Sequence, residues 1–134
     1  MKPGPLLMLG GGVAMFLGAI LDWRGGQSGI NFDSMGLFGL LTLVIGAAVA
    51  GVAIVRAFAP QVSLPENIMG FSLTQCSVAA SLTVFLWTFG TISAEFVDFG
   101  LHLAWIGGAA AVAGGVMAGT ESTTSAPTGP PQQF

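Results

Sequence analysis

Apolar residues run from 36 to 59 as GLFGLLTLVIGAAVAGVAIVRAFA, with no acid and one charge, Arg56, in the last turn. As a helix this stretch is about 36 Å long, against a bilayer core of roughly 30 Å. Hydrocarbon offers no partner to backbone N–H and C=O groups, so the run is predicted to be a membrane-crossing helix. The other apolar runs are then its neighbours. Residues 6–23 follow a short start, MKPGP, and close on Trp23 at the interface. A cleaved signal peptide is the competing reading. No small-x-small site precedes Asp22, so the first span is expected to be retained.

Residues 22–35 (DWRGGQSGINFDSM) are rich in Gly, Ser, Asn and Asp and read as a loop. After 59, Pro60 and Pro65 bracket a turn, and Ser63-Leu-Pro-Glu66 matches a capping box with its proline in the first turn. This predicts a third helix over 64–93. Its apolar run is diluted by Ser and Thr, whose hydroxyls can return to the helix backbone. A fourth helix is expected over 99–118, and a flexible Pro/Ser/Thr-rich tail over 119–134. The predicted fold is all-α: a bundle of four transmembrane helices with short loops, in one domain over 1–118.

Lipid tails are as apolar as leucine, so such helices associate through small residues that allow close approach. Four-residue spacing places Gly10, Ala14 and Gly18 on one stripe of the first span. Ala47 and Gly51 do the same on the second, and Gly107, Ala111, Gly115 and Gly119 on the fourth. Membrane helices are rich in Gly and Ala in any case, which is the plainer reading. On the third span Thr74, Ser77 and Ser81 form a polar stripe. It serves either interhelical hydrogen bonds or a lined polar pathway. Gln75 lies off the stripe.

With 53% hydrophobic and 7% charged residues and a mean hydropathy of +0.83, the chain cannot build a water-exposed surface. The net charge is −3 and the basic residues are Lys2, Arg24 and Arg56, too few and too scattered for nucleic acid. Four spans put both termini on one side, with Lys2 and Arg56, and the positive-inside rule makes that side cytoplasmic. Trp23 and Trp87 then fall near the outer interface, with Trp105 deeper.

Asp22, Arg24, Asp33, Glu95, Asp98 and His102 gather on the outer side. Two carboxylates and an imidazole could bind a divalent metal, but no paired-ligand motif is present, and the plainer reading is solvated acids or an Arg24–carboxylate bridge joining two loops. No metal, cofactor or catalytic residue is therefore assigned. No carboxylate pair lies within the hydrocarbon, where a proton relay would need one. Gly10-Gly11-Gly12 lacks the strand and the Lys-Ser/Thr of a phosphate loop. Cys76 reads as a small core residue.

Ile20-Leu-Asp-Trp23, the Gly/Ser-rich loop, Gly29-Ile-Asn-Phe32-Asp-Ser and Gly36-Leu-Phe-Gly39-Leu-Leu resemble the first half of small four-helix membrane proteins of actinobacterial type. The resemblance spans residues 6–58 and implies a four-helix bundle in a bacterial cell membrane, with no activity attached. Claudin-like proteins share the topology, but their paired loop cysteines are absent here. The expected function is a non-catalytic accessory or structural subunit whose partners are lipids and larger membrane proteins. The alternative is a homo-oligomeric pore or small transporter using the third helix.

Overall fold

The computed structural model describes residues 2–31, 36–92 and 97–124, without the side chains of Arg24, Asn31 and residues 122–124. Its helices are α1 (Pro3–Ile20), α2 (Gly36–Phe58), α3 (Leu73–Thr91) and α4 (Phe99–Thr124). At 1.5 Å per residue they are about 27, 35, 29 and 39 Å long. All four are long and apolar enough to cross a membrane. A hairpin of β1 (Asp22–Arg24) and β2 (Gln27–Ser28) leads into a 3-10 turn, Gly29–Asn31, between α1 and α2. A second hairpin, β3 (Asn67–Ile68) and β4 (Phe71–Ser72), precedes α3.

α1 is the central helix. It packs along α4 on one side and α2 on the other, while α3 lies on α4 and meets α2 over a smaller contact. Gly4, Gly11 and Gly18 recur every seven residues on α1. On α4 the same interval separates Gly100, Gly107 and Gly114, and again Ala104, Ala111 and Ala118. The two repeats face each other in antiparallel register. A Cβ built on Gly4 would lie 2.7 Å from Ala118 N, one on Gly11 2.5 Å from Ala111 N, and one on Gly18 2.7 Å from Ala104 N. Only hydrogen fits there, so the backbones touch at three successive levels. A seven-residue period is that of left-handed helix pairs, in which each contact recurs every two turns. Gly12 meets Ala50 and Gly46 of α2 in the same manner. Over these contacts lies a core of Met8, Met15, Val49, Ala53, Val84, Ala111 and Ala118.

Several boundaries depart from the sequence reading: the first helix is Pro3–Ile20, not 6–23, and residues 22–24 form β1. The third helix begins at Leu73, not at 64. Ser72 is its N-cap: its Oγ accepts from Gln75 N at 3.2 Å, and Gln75 Oε1 accepts from Ser72 N at 2.9 Å. The chain therefore holds two S-x-x-E/Q matches, and the second is the one used. A capping box needs helix behind it, and Asn67–Ser72 is committed to a hairpin whose Met69 and Gly70 have φ of 52° and 88°. Positive φ at both central residues is the two-residue turn whose twist suits a hairpin. The fourth helix also runs past 118 to Thr124, because no proline interrupts it and Thr120 Oγ1 donates to Met117 O at 2.8 Å. The part of the expected tail over 125–134 lies outside the described residues.

Candidate functional site

At one end of the bundle Trp23 closes the α1–α4 seam. Its side chain is 3% exposed, and Nε1 donates to Gly18 O at 2.7 Å, satisfying a carbonyl that the end of α1 would leave open. The indole packs against Gly29, where an added Cβ would sit 2.5 Å from the ring. Trp23, expected near the outer interface, is enclosed by protein at this end of the bundle. The ring packs with Leu101 and Ala104 of α4 and plugs that end of the seam. Asp98 N donates to Trp23 O at 2.9 Å, and Asp98 Oδ2 accepts from Gly26 N at 3.3 Å, tying the start of α4 to the hairpin.

Of the expected outer cluster, Asp22 and Asp98 line one cleft of about 430 Å³ with Leu21, Gly26, Phe99 and Gly100. His102 stands apart from these acids in its bonding: its Nδ1 accepts from Trp105 Nε1 at 3.2 Å. Trp105 in turn packs edge-on against Phe89, with ring centres 5.8 Å apart. Asp33, Glu95 and the Arg24 side chain lie outside the described residues. Among the described residues no three His, Cys, Asp or Glu side chains converge on a metal position.

The small residues singled out by four-residue spacing divide. Gly18, Gly107, Ala111 and Gly115 stand at helix contacts, and Ala14 faces Gly107. Gly10 and Gly51 do not, since a Cβ on either meets no described atom within 4 Å, and Ala47 is exposed. Gly119 is equally open. The contacts follow seven-residue spacing instead, which brings in Gly4, Gly11, Gly114, Ala104 and Ala118. That repeat was present in the sequence; the shorter spacing concealed it.

The polar stripe on α3 is also divided. Thr74 Oγ1 accepts from Arg56 Nη1 at 2.6 Å, an interhelical bond to α2. Ser77 returns its hydroxyl to Leu73 O at 2.9 Å, as Thr88 does to Val84 O at 2.6 Å. Ser81 is fully buried and its Oγ has no hydrogen-bond partner among the described residues. Beside this stripe α3 and α4 part into a groove of about 680 Å³, open to the side of the bundle. Val78, Ala79 and Leu82 line one wall, Gly115, Val116 and Gly119 the other, and Ser72, Thr74 and Gln75 the end nearest the second hairpin.

No family model, no curated protein and no solved structure matches the chain.

Proposed function

We propose that the chain is a multi-pass membrane protein of non-catalytic role, an accessory subunit whose α3–α4 groove receives a transmembrane helix of a larger partner. The observation that carries this reading is the groove itself. Ala79 on α3 and Gly115 and Gly119 on α4 are among its lining, and backbone-close contact through small residues is how helices associate in lipid. α3 is also the least enclosed of the four helices, with 22% of its spanning window buried against 33–39% for the others. Lys2 and Arg56 lie on the side of the termini, which the positive-inside rule assigns to the cytoplasm. The resemblance over residues 6–58 is in keeping with a bacterial cell membrane.

A photo-crosslinking residue at Leu82 or Val116, read in native membranes, tests the reading. The expected product is an adduct with a different membrane protein, absent when the probe replaces Leu40 on the exposed face of α2. Adducts to lipid alone overturn it.

A further inference from the structure

The second hairpin carries an anomaly. Met69 has φ of 52°, the left-handed region that side chains rarely adopt, and it is 95% exposed. Asn or Gly suits this turn position better, so the methionine adds backbone strain and in water gains no contact in return. Its neighbours repeat the pattern: Ile68 is 40% and Phe71 60% exposed. An outlier of this kind at an exposed tip points to a role that the isolated chain does not satisfy.

We infer that the Asn67–Ser72 hairpin is an interfacial anchor whose Ile68, Met69 and Phe71 side chains enter the boundary between lipid headgroups and acyl chains. The inference rests on the membrane-spanning reading above. Three observations select lipid over a protein partner. The hairpin has no linker to carry it away from the bundle: Ser72 ends β4 and is itself the N-cap of α3. Arg56, near the end of α2, reaches Thr74 in the first turn of α3, which marks the level at which a charged head meets water. Ser72 at the end of the hairpin is two residues from Thr74, and Phe58, two residues past Arg56 at the end of α2, is 64% exposed. Finally, β3 and β4 are two residues each, too short an edge to add a strand from another copy, and Glu66 is the one charge over 59–72, too little to steer a soluble partner.

The test uses the full chain in phosphatidylcholine vesicles, with Met69→Cys carrying an NBD fluorophore in a Cys76→Ala background. Spin-labelled lipid, with the label high on the acyl chain, is expected to quench the probe. Aqueous iodide should quench it about threefold or more less than free NBD-cysteine. The variant Met69→Asn, probed at Phe71→Cys, should keep its helix content, because Asn favours the turn, and should show weaker lipid quenching. An iodide response equal to that of the free dye, in protein that stays with the vesicles through alkaline carbonate, overturns the anchor and leaves the spanning helices standing. Loss of protein from the vesicles in carbonate overturns both. Protection that grows with the protein-to-lipid ratio assigns the tip to a second copy and likewise overturns the anchor.

Discussion

Gly10 and Gly11 are adjacent, and substituting alanine at each should have opposite effects. At Gly11 the new Cβ would stand 2.5 Å from Ala111 N, 2.5 Å from Gly107 O and 2.8 Å from Ala111 Cβ, where ordinary contact begins at 3.4 Å. Two of the three obstacles are backbone, which cannot rotate aside, so α1 and α4 must part by about 1 Å at that level. A gap of that size forfeits a quarter to a half of the dispersion energy of each contact it opens. Overpacking of this kind costs about 1–3 kcal/mol, and the tight contacts at Gly4 and Gly18 on either side place Gly11→Ala near the upper end, about 3 kcal/mol. At Gly10 nothing described lies within 4 Å. There the methyl group meets no obstacle, and the better helix propensity of alanine is worth up to about 0.8 kcal/mol. The measurement is reversible unfolding by SDS in mixed micelles, followed by tryptophan fluorescence, for both variants beside the parent. The expected separation is about 3 kcal/mol, with Gly10→Ala at or above the parent. Equal destabilisation by the two substitutions, or a Gly11→Ala protein as stable as the parent, refutes the seven-residue contact and restores the stripe through Gly10.

Two further pairs of variants separate neighbouring roles in the same assay. Trp23→Phe removes the donor to Gly18 O and leaves a buried carbonyl open, at an expected cost of about 2 kcal/mol. Trp87→Phe should cost less than about 1 kcal/mol, because the Trp87 Nε1 has no partner among the described residues and a phenyl ring can still stack on Phe38, whose ring centre is 3.5 Å away. Equal losses would mean that the Trp23 bond is not what holds that end. Ser72→Ala removes the cap used by α3 and should cost about 1 kcal/mol, whereas Ser63→Ala, in the unused match, should be silent. A loss at Ser63 instead would return the start of α3 to residue 64.

The four helices were legible because uninterrupted apolar length is a signal that no other structure explains as well. α2, with its lone Arg56, is the clearest instance. The hairpins were not legible from composition: Gly25-Gly26 reads as loop until it is known that both residues take positive φ, at 57° and 78°, and turn β2 back onto β1. The packing of Trp23 against Leu101 and Ala104 was not legible either, since hydropathy does not say which helix an aromatic ring meets. The start of α3 was ambiguous for a physical reason, since Ser63–Glu66 and Ser72–Gln75 satisfy the same local rule, and only the turn between them at Met69-Gly70 selects the second. On α1 the four- and seven-residue intervals share Gly18, so the spacing alone does not separate Gly10, which meets no described atom within 4 Å, from Gly11, which meets α4. The groove beside α3 depends on how two helices diverge, a quantity that no single helix encodes.

The matched repeats on α1 and α4 have one property in common with any evenly toothed rail: moved along by one tooth, they mesh again. A slide of seven residues, about 10.5 Å, would set Gly11 where Gly4 or Gly18 now stands, with almost the same fit of glycine against alanine. The seam therefore supplies affinity between the two helices without saying where along its length they should stop. That decision falls to the clasp at one end, where Trp23 binds the Gly18 carbonyl and is itself held by the Asp98 amide, a fit that exists once and is not repeated.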